Sequence, residues 1–274
     1  MGRVIQTLPD GEPVKGVTSL DNRLYVLRGN KSSEQIEVYD IDSYRSVRSL
    51  TVPGLGNGSD IVACRHNRCA YISDWSHNSV QRVALSDATV THWSVGLNDK
   101  PAHLSLTYRH GVLVSCWQVC KIKEFTTDGQ LLHVLTLPQD VVSPFHAIQL
   151  SSGQFVVCHG ERSALLHRVC LIGSDGIVAK SFGGQEGSGS QHMNVPCHMA
   201  VDRNESVFVV DLNNCRVLLL SSQLTYVRDV VSREQCKNQP LSVHLDYDRG
   251  RLYVADSEYK EGKWIAGRVI VVSM

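Results

Sequence analysis

The sequence predicts an all-β fold, a six-bladed β-propeller of four-stranded antiparallel blades, on three observations. One two-strand pattern recurs six times at the period of a propeller blade. Five of the six units carry four strand-like segments, and an unassigned segment near the N-terminus supplies what the sixth lacks. No stretch of a dozen residues holds a helical hydrophobic period.

The pattern is clearest in "CHMAVDRNESVFVVD" (197–211), where an apolar run, a polar turn and a second apolar run follow one another. Its equivalents are "VKGVTSLDNRLYVLR" (14–28), "SDIVACRHNRCAYISD" (59–74), "AHLSLTYRHGVLVSC" (102–116), "FHAIQLSSGQFVVCH" (145–159) and "LSVHLDYDRGRLYVAD" (241–256). Their second strands end at Arg28, Asp74, Cys116, His159, Asp211 and Asp256, at intervals of 42 to 52 residues. Third strands are expected at 35–41, 79–86, 120–126, 167–173, 215–221 and 267–273. Fourth strands follow in the first five units as "SVRSLTV", "THWSVGL", "LLHVLTL", "IVAKSFG" and "YVRDVVS". The sixth has none, so "GRVIQTL" at 2–8 is expected to pair with the last blade and close the ring without an open edge. The blades then run approximately 14–58, 59–100, 101–143, 144–195, 196–239 and 240–274 plus 2–8, as one domain over 1–274.

Composition narrows the function classes. Of 274 residues, 42% are hydrophobic and 20% charged, an ordinary globular make-up. Lys+Arg 27 against Asp+Glu 27 lacks the basic excess usual in nucleic-acid binders. No apolar run is long enough to span a membrane, and the first residues lack the apolar core of an export signal. Nine cysteines without a Cys-x-x-Cys spacing read as reduced thiols. The expectation is a cytoplasmic monomer without a cofactor.

"SFGGQEGSGSQHMNVPCHMAVDRNESVFVVDLNNCRVLLLS" (181–221) resembles an NHL repeat in Phe182-Gly183, in Pro196 with Met199-Ala200-Val201-Asp202, and in Asp211, Asn214 and Arg216-Val217. The likeness is strong in this blade, fair in the last and second, and covers nearly the whole chain. The Gly-His and Trp-Asp marks of the runner-up WD repeat are absent. The resemblance implies a propeller like the C-terminal NHL domain of TRIM-NHL proteins, which selects a protein or RNA target for an attached ubiquitin-ligase module. No RING or B-box spacing occurs in this chain. Asp74, Asp211, Asn214, Arg216 and Asp256 are expected to be structural, organising the turn after the second strand. Gly183, Gly184, Gly187 and Gly189 are expected in a loop with no helix following, which is not a phosphate cradle.

Two rings of positions could carry function. The starts of the innermost strands hold Lys15, Asp60, His103, His146, His198 and Ser242. The three histidines sit in Pro-x-His phrases, and imidazoles at a channel mouth invite a zinc reading. The repeats also distantly resemble the peptide-amidating lyase propeller, whose zinc-holding histidine directly follows the proline. Here one residue intervenes, and in a regular strand that turns the side chain to the opposite face. The histidines are therefore expected to be structural, with no metal.

The second ring lies in the turns of the same rim: Trp75, His77, Asn78, Trp117, Gln118 and Arg162. Paired tryptophans offer a large rigid recognition area. Arg28, Lys31, Lys121, Arg162 and Arg216 are expected to interleave there with Glu34, Asp74, Glu161, Asp256 and Glu258, a mixture that suits a protein or peptide better than a phosphate backbone. The expected function is a non-enzymatic module binding a protein target on the top face. Single-stranded RNA on that face is one alternative, and a metal-dependent lyase or hydrolase built on the histidines is another.

Overall fold

The computed structural model describes residues 2–30, 34–161 and 163–274. After β1 (Arg3–Thr7), strands follow four at a time. Blade one is β2 (Val14–Leu20), β3 (Arg23–Arg28), β4 (Gln35–Asp40) and β5 (Ser46–Thr51). Blade two is β6 (Gly58–Cys64), β7 (Cys69–Asp74), β8 (Ser79–Ala84) and β9 (Val90–Ser94). Blade three is β10 (Pro101–Leu106), β11 (Val112–Cys116), β12 (Lys121–Phe125) and β13 (Leu131–Thr136). Blade four is β14 (Pro144–Gln149), β15 (Phe155–His159), β16 (His167–Ile172) and β17 (Val178–Gly184). Blade five is β18 (Pro196–Val201), β19 (Val207–Asp211), β20 (Arg216–Leu220) and β21 (Tyr226–Val231). Blade six is β22 (Gln239–Asp246), β23 (Arg251–Lys260) and β24 (Lys263–Ser273), completed by β1.

Each blade is a four-stranded antiparallel sheet in chain order, and β1 pairs with β24 from Arg3↔Ser273 to Thr7↔Ile270. This is the six-bladed, N-terminally closed propeller that the repeats predict. The innermost strands β2, β6, β10, β14, β18 and β22 each touch the next around a closed ring. Second strands such as "CAYISD" and "VFVVD" are buried throughout because neighbouring blades cover both faces. Six apolar clusters fill the gaps between blades. One of them packs Leu27 and Ile36 of blade one on Ile61, Ile72 and Val83 of blade two. Fully burying one such side chain stabilises the fold by about 1.5–3 kcal/mol. Among the described residues no helix is long and apolar enough to cross a membrane.

Two features depart from the sequence expectation. First, every innermost strand breaks register against its neighbour at the same place: Val14/Gly16, Gly58/Asp60, Pro101/Leu104, Pro144/His146, Pro196/His198 and Pro240/Ser242. Such a bulge inserts one residue and resets the alternation of faces. The opposite-face expectation for the histidines therefore fails. Second, β23 and β24 outrun the middle strands of the other blades and form a projecting finger over 257–267, turned by Glu261 (φ 51) and Gly262 (φ 80). A two-residue turn with both φ positive matches the twist of a hairpin. A smaller correction concerns Gly183 and Gly184, which belong to β17 rather than to a loop. Gly183 takes φ 95, where an added Cβ would lie 2.4 Å from the His167 carbonyl.

Candidate functional site

The inner ring is built from side chains that reach across blade boundaries to backbone groups. Thr18 Oγ1 accepts the Ala63 N–H (3.1 Å), and Asp60 Oδ2 accepts that of Leu104 (2.9 Å). His146 Nδ1 accepts the Met199 N–H (3.1 Å), and His198 Nδ1 that of Val243 (3.4 Å). Ser105 Oγ donates to the Ala147 carbonyl (2.7 Å), and Ser257 Oγ both accepts from Val14 N–H and donates to Val14 O (each 2.9 Å). Every one of the six blade junctions carries such a bond. Because a backbone N–H can only donate, the acceptor nitrogen of each imidazole is settled. His146 must then carry its proton on Nε2, which faces the Leu104 carbonyl at 3.0 Å. His198 likewise carries it on Nε2, 3.4 Å from Asp60 Oδ2.

The three Pro-x-His histidines do converge. The His146 and His198 rings stack with centroids 4.1 Å apart, and His103 lies edge-on to His198 at 4.8 Å. Asp60, His146 and His198 each present one potential ligand atom within 4.8 Å of the others. That spacing would suit a metal, but both His146 nitrogens already bond backbone groups, and ligation would break one of those bonds. Burial would raise the Asp60 carboxyl, yet the His198 and His103 imidazoles hold it below the ordinary carboxylate range. Burial drives His146 well below the usual imidazole range and also lowers His198, against the pull of Asp60. Asp60 is thus held toward its ionised form, while burial favours the neutral forms of His146 and His198. Asp60, His146 and His198 are all buried, so these expected binding positions offer no open surface. His103 and Lys15 are partly exposed, and Ser242 is buried beside His198.

The rim is different. Trp75 and Trp117 are partly exposed and pack at 5.4 Å with their planes tilted by 52°. Each turn is pinned to the loop before its blade, Trp75 N–H to Asn57 O (3.0 Å) and Trp117 N–H to Lys100 O (3.2 Å). Lys100 lies 5.9 Å from the Trp75 ring centre, donates to Trp75 O at 3.3 Å, and has its own N–H held by Asn78 Oδ1 at 3.2 Å. His77 is exposed and anchored through Nδ1 to buried Asp74 (2.9 Å), while Gln118 is exposed. Asp211 accepts from Asn194 N–H, Asn214 and Arg216, and Asp256 from Asn238 N–H and Arg268.

Several rim charges do not lie on the surface. Arg28, Arg216, Glu34, Asp74 and Asp256 are buried, so they hold loops together rather than face a partner. Lys121, Glu161 and Glu258 do keep exposure. Lys31 and Arg162 lie outside the described residues. Three contributors escape the reading of the repeats. Leu97 and Leu165 are 91% and 88% exposed in loops of this rim. Trp264, on the finger, shares with Trp75 a cavity of about 820 Å³. The cue for the finger is the interval "SEYKEGKWIAG", longer than any other second turn and carrying aromatics around Glu-Gly.

No protein-family model and no curated protein matches the chain. Solved structures of similar shape include a streptogramin B lyase (TM-score 0.68, 10% identity, covering 100% of this chain and 86% of that one). The WD40 propeller domain of Doa1 (0.65, 12%, 98% and 96%) and a chain of the nidogen/laminin complex (0.66, 13%, 81% and 81%) are similar too. At these identities the likeness extends to the fold, and it spans an enzyme and interaction domains alike. The chain is a six-bladed β-propeller.

Proposed function

We propose that this propeller is a non-enzymatic module that docks a protein partner on the rim bearing Trp75, His77 and Trp117. The observation that carries the reading is the pair of packed, partly exposed indoles, with an almost fully exposed Leu97 in another loop of the same rim. Tryptophan dominates interface hot spots. The neutral, backbone-bonded imidazoles of the inner ring favour a structural role for the histidines over catalysis. The NHL-type resemblance supplies the role such docking would play, selection of a target for a ubiquitin-ligase module.

The test is partner capture from native cell extract, with and without ribonuclease, by the wild-type chain and by Trp75→Ala with Trp117→Ala. Truncating a hot-spot residue costs about 2 kcal/mol or more, roughly a thirty-fold weakening. The double variant is expected to lose ribonuclease-resistant capture while keeping its melting temperature, since both residues lie outside the strand ladder. Tight binding of a random single-stranded RNA pool that weakens steeply with salt, and is lost in the double variant, would replace this reading with RNA recognition.

A further inference from the structure

Blade two keeps the aspartate of blades five and six but not its arginine. Arg216 and Arg268 stand directly across from Asp211 and Asp256 and pair with them at 2.8 Å. Opposite Asp74 the same place holds Ser79. The buried Asp74 carboxylate accepts instead from the N–H groups of Gly56 (2.9 Å), Asn57 (3.2 Å), Ser76 (3.1 Å) and His77 (3.3 Å). His77 Nδ1 (2.9 Å) and Gln81 Nε2 (3.1 Å) complete its partners. Burial would raise this carboxyl, but these bonds, the Gly56 N–H first among them, hold it below the ordinary carboxylate range. Among the described residues no arginine or lysine forms an ion pair with it, and its one such contact is to the His77 imidazole.

Ser79 borders a cavity of about 510 Å³, within the size range of ligand sites. His77, Gln81, His92 and Trp93 also line it, and no arginine, lysine or carboxylate does. Gln81 Nε2 bridges Asp74 to the Gly54 carbonyl (3.0 Å). Arg216 likewise bridges Asp211 to the carbonyls of Gly189 and His192 (3.1 and 2.8 Å). The amide thus replaces the arginine's bonds but not its charge. Because His77 donates to Asp74 through Nδ1, Nε2 of the neutral ring is an acceptor, and the side chain is 59% exposed. Blade four shows what such an acceptor takes: Arg168 Nε donates to His159 Nε2 at 3.3 Å.

We infer that the blade-two cavity receives an arginine side chain of the protein partner, whose guanidinium donates to His77 Nε2 and lies against Trp93, with Asp74 behind the imidazole. The inference deepens the rim-docking reading and rests on it, since Trp75 and His77 share one turn. A buried carboxylate served by neutral donors favours a cation. The aromatic wall and the planar fork of donors favour arginine over lysine. Blades five and six fill the equivalent place with an arginine of their own third strand.

Four fluorescent peptide pools, alike except for a central arginine, citrulline, lysine or glutamate between randomised flanks, are titrated against the full chain. The arginine pool is expected to bind at least tenfold tighter than the citrulline pool, which keeps the shape without the charge. It should also bind tighter than the lysine pool, with the glutamate pool weakest. Ser79→Arg supplies the cation from within, as blades five and six do, and should weaken the arginine pool at least tenfold without lowering the melting temperature. Ser152→Arg, which adds the same charge to the exposed turn between β14 and β15, should leave that affinity unchanged. Where Ser79→Arg folds poorly, His77→Ala makes the same test at an exposed ring and should weaken the arginine pool at least tenfold. Equal binding of the arginine pool and either the citrulline or the lysine pool would overturn the inference, as would full binding of the arginine pool by the folded Ser79→Arg or His77→Ala protein. Partner capture separates it from the rim reading. Undiminished capture by these two variants, with capture lost in the double tryptophan variant, would sink the arginine site and leave rim docking standing.

Discussion

Six residues fill one place at the end of the second strand, and their chemistry shows how much substitution the architecture absorbs. Asp211 and Asp256 each meet an arginine on the third strand, Arg216 and Arg268, at 2.8 Å. Blade four replaces the carboxylate with His159, which accepts from Arg168 Nε at 3.3 Å while that arginine reaches Asp140 at 2.6 Å. Blade one departs further: Arg28 stands where the aspartate would be, opposite Gln35, and meets Glu37 two residues along the third strand at 2.9 Å. Arg28 cannot accept backbone N–H bonds, so it donates to the carbonyls of Glu12 and Gly267 instead (each 2.8 Å). The inner ring follows the same logic of tying backbone across blades, and His146 is its most committed member. Changing His146→Ala strands the buried Met199 N–H, and an unsatisfied buried donor costs about 1–3 kcal/mol. The expected result is a stability loss of that order in denaturant titration, with no stoichiometric zinc in either protein by elemental analysis. One zinc per wild-type chain, absent from the variant, would restore the metal reading of Asp60, His146 and His198.

The strands themselves are legible because alternation between polar turns survives even where the repeat signature fades. The first-strand ranges match to within a residue or two, and the orphan segment at 2–8 folds as β1 against the last blade. That closure has a measurable consequence. Deleting residues 1–9 removes the partner of Ile270–Ser273 and leaves a four-residue apolar edge facing solvent. The truncated chain is expected to aggregate and to melt at lower temperature, as read by light scattering and a thermal scan. A monomeric truncation with an unchanged melting point would refute the closure. The bulges are not legible. Alternation alone shows no register break, although four of the six begin at a proline, Pro101, Pro144, Pro196 and Pro240, a residue that strands accept at bulges, so the parity argument applied to Pro-x-His gives the wrong face. The site is legible only in part. Trp75 and Trp117 align by position between repeats, whereas Trp264 lies in a blade-specific insertion with no counterpart. The burial of Arg28, Asp74 and Asp256 cannot be read from composition, because a charged turn residue looks the same whether its partner is solvent or a neighbouring loop.

At the scale of the whole ring, buried neutral histidines couple the fold to acidity. Burial pushes His159 and His244 down to about 4, and it lowers His146 and His198 as well. His244 is bonded to Ser19 across the junction of blades six and one at 2.7 Å. In the unfolded chain each of these rings takes a proton near its ordinary value of about 6.5. Between that value and the depressed one, the unfolded state binds more protons than the folded state. Stability therefore rises with pH through this window and falls on acidification. Carboxyls such as Asp211 and Asp256, which burial raises, act in the opposite sense nearer the acid end. In the upper part of the window, from about pH 6.5 to 5, an ordinary carboxylate is ionised in both states and the histidines dominate. A tenfold loss of proton affinity on folding is worth about 1.4 kcal/mol, so four rings together can cost several kcal/mol across that interval. Thermal melts at pH 7.5, 6.5 and 5.5 are expected to show a small fall in the first step and a larger one, of several degrees, in the second. In His244→Asn, which keeps a polar group facing Ser19, the slope should be shallower by about one proton's worth. A melting temperature that is flat or rising from pH 7.5 to 5.5 would mean that these rings protonate in place, and that the inner ring tolerates charge which its burial argues against.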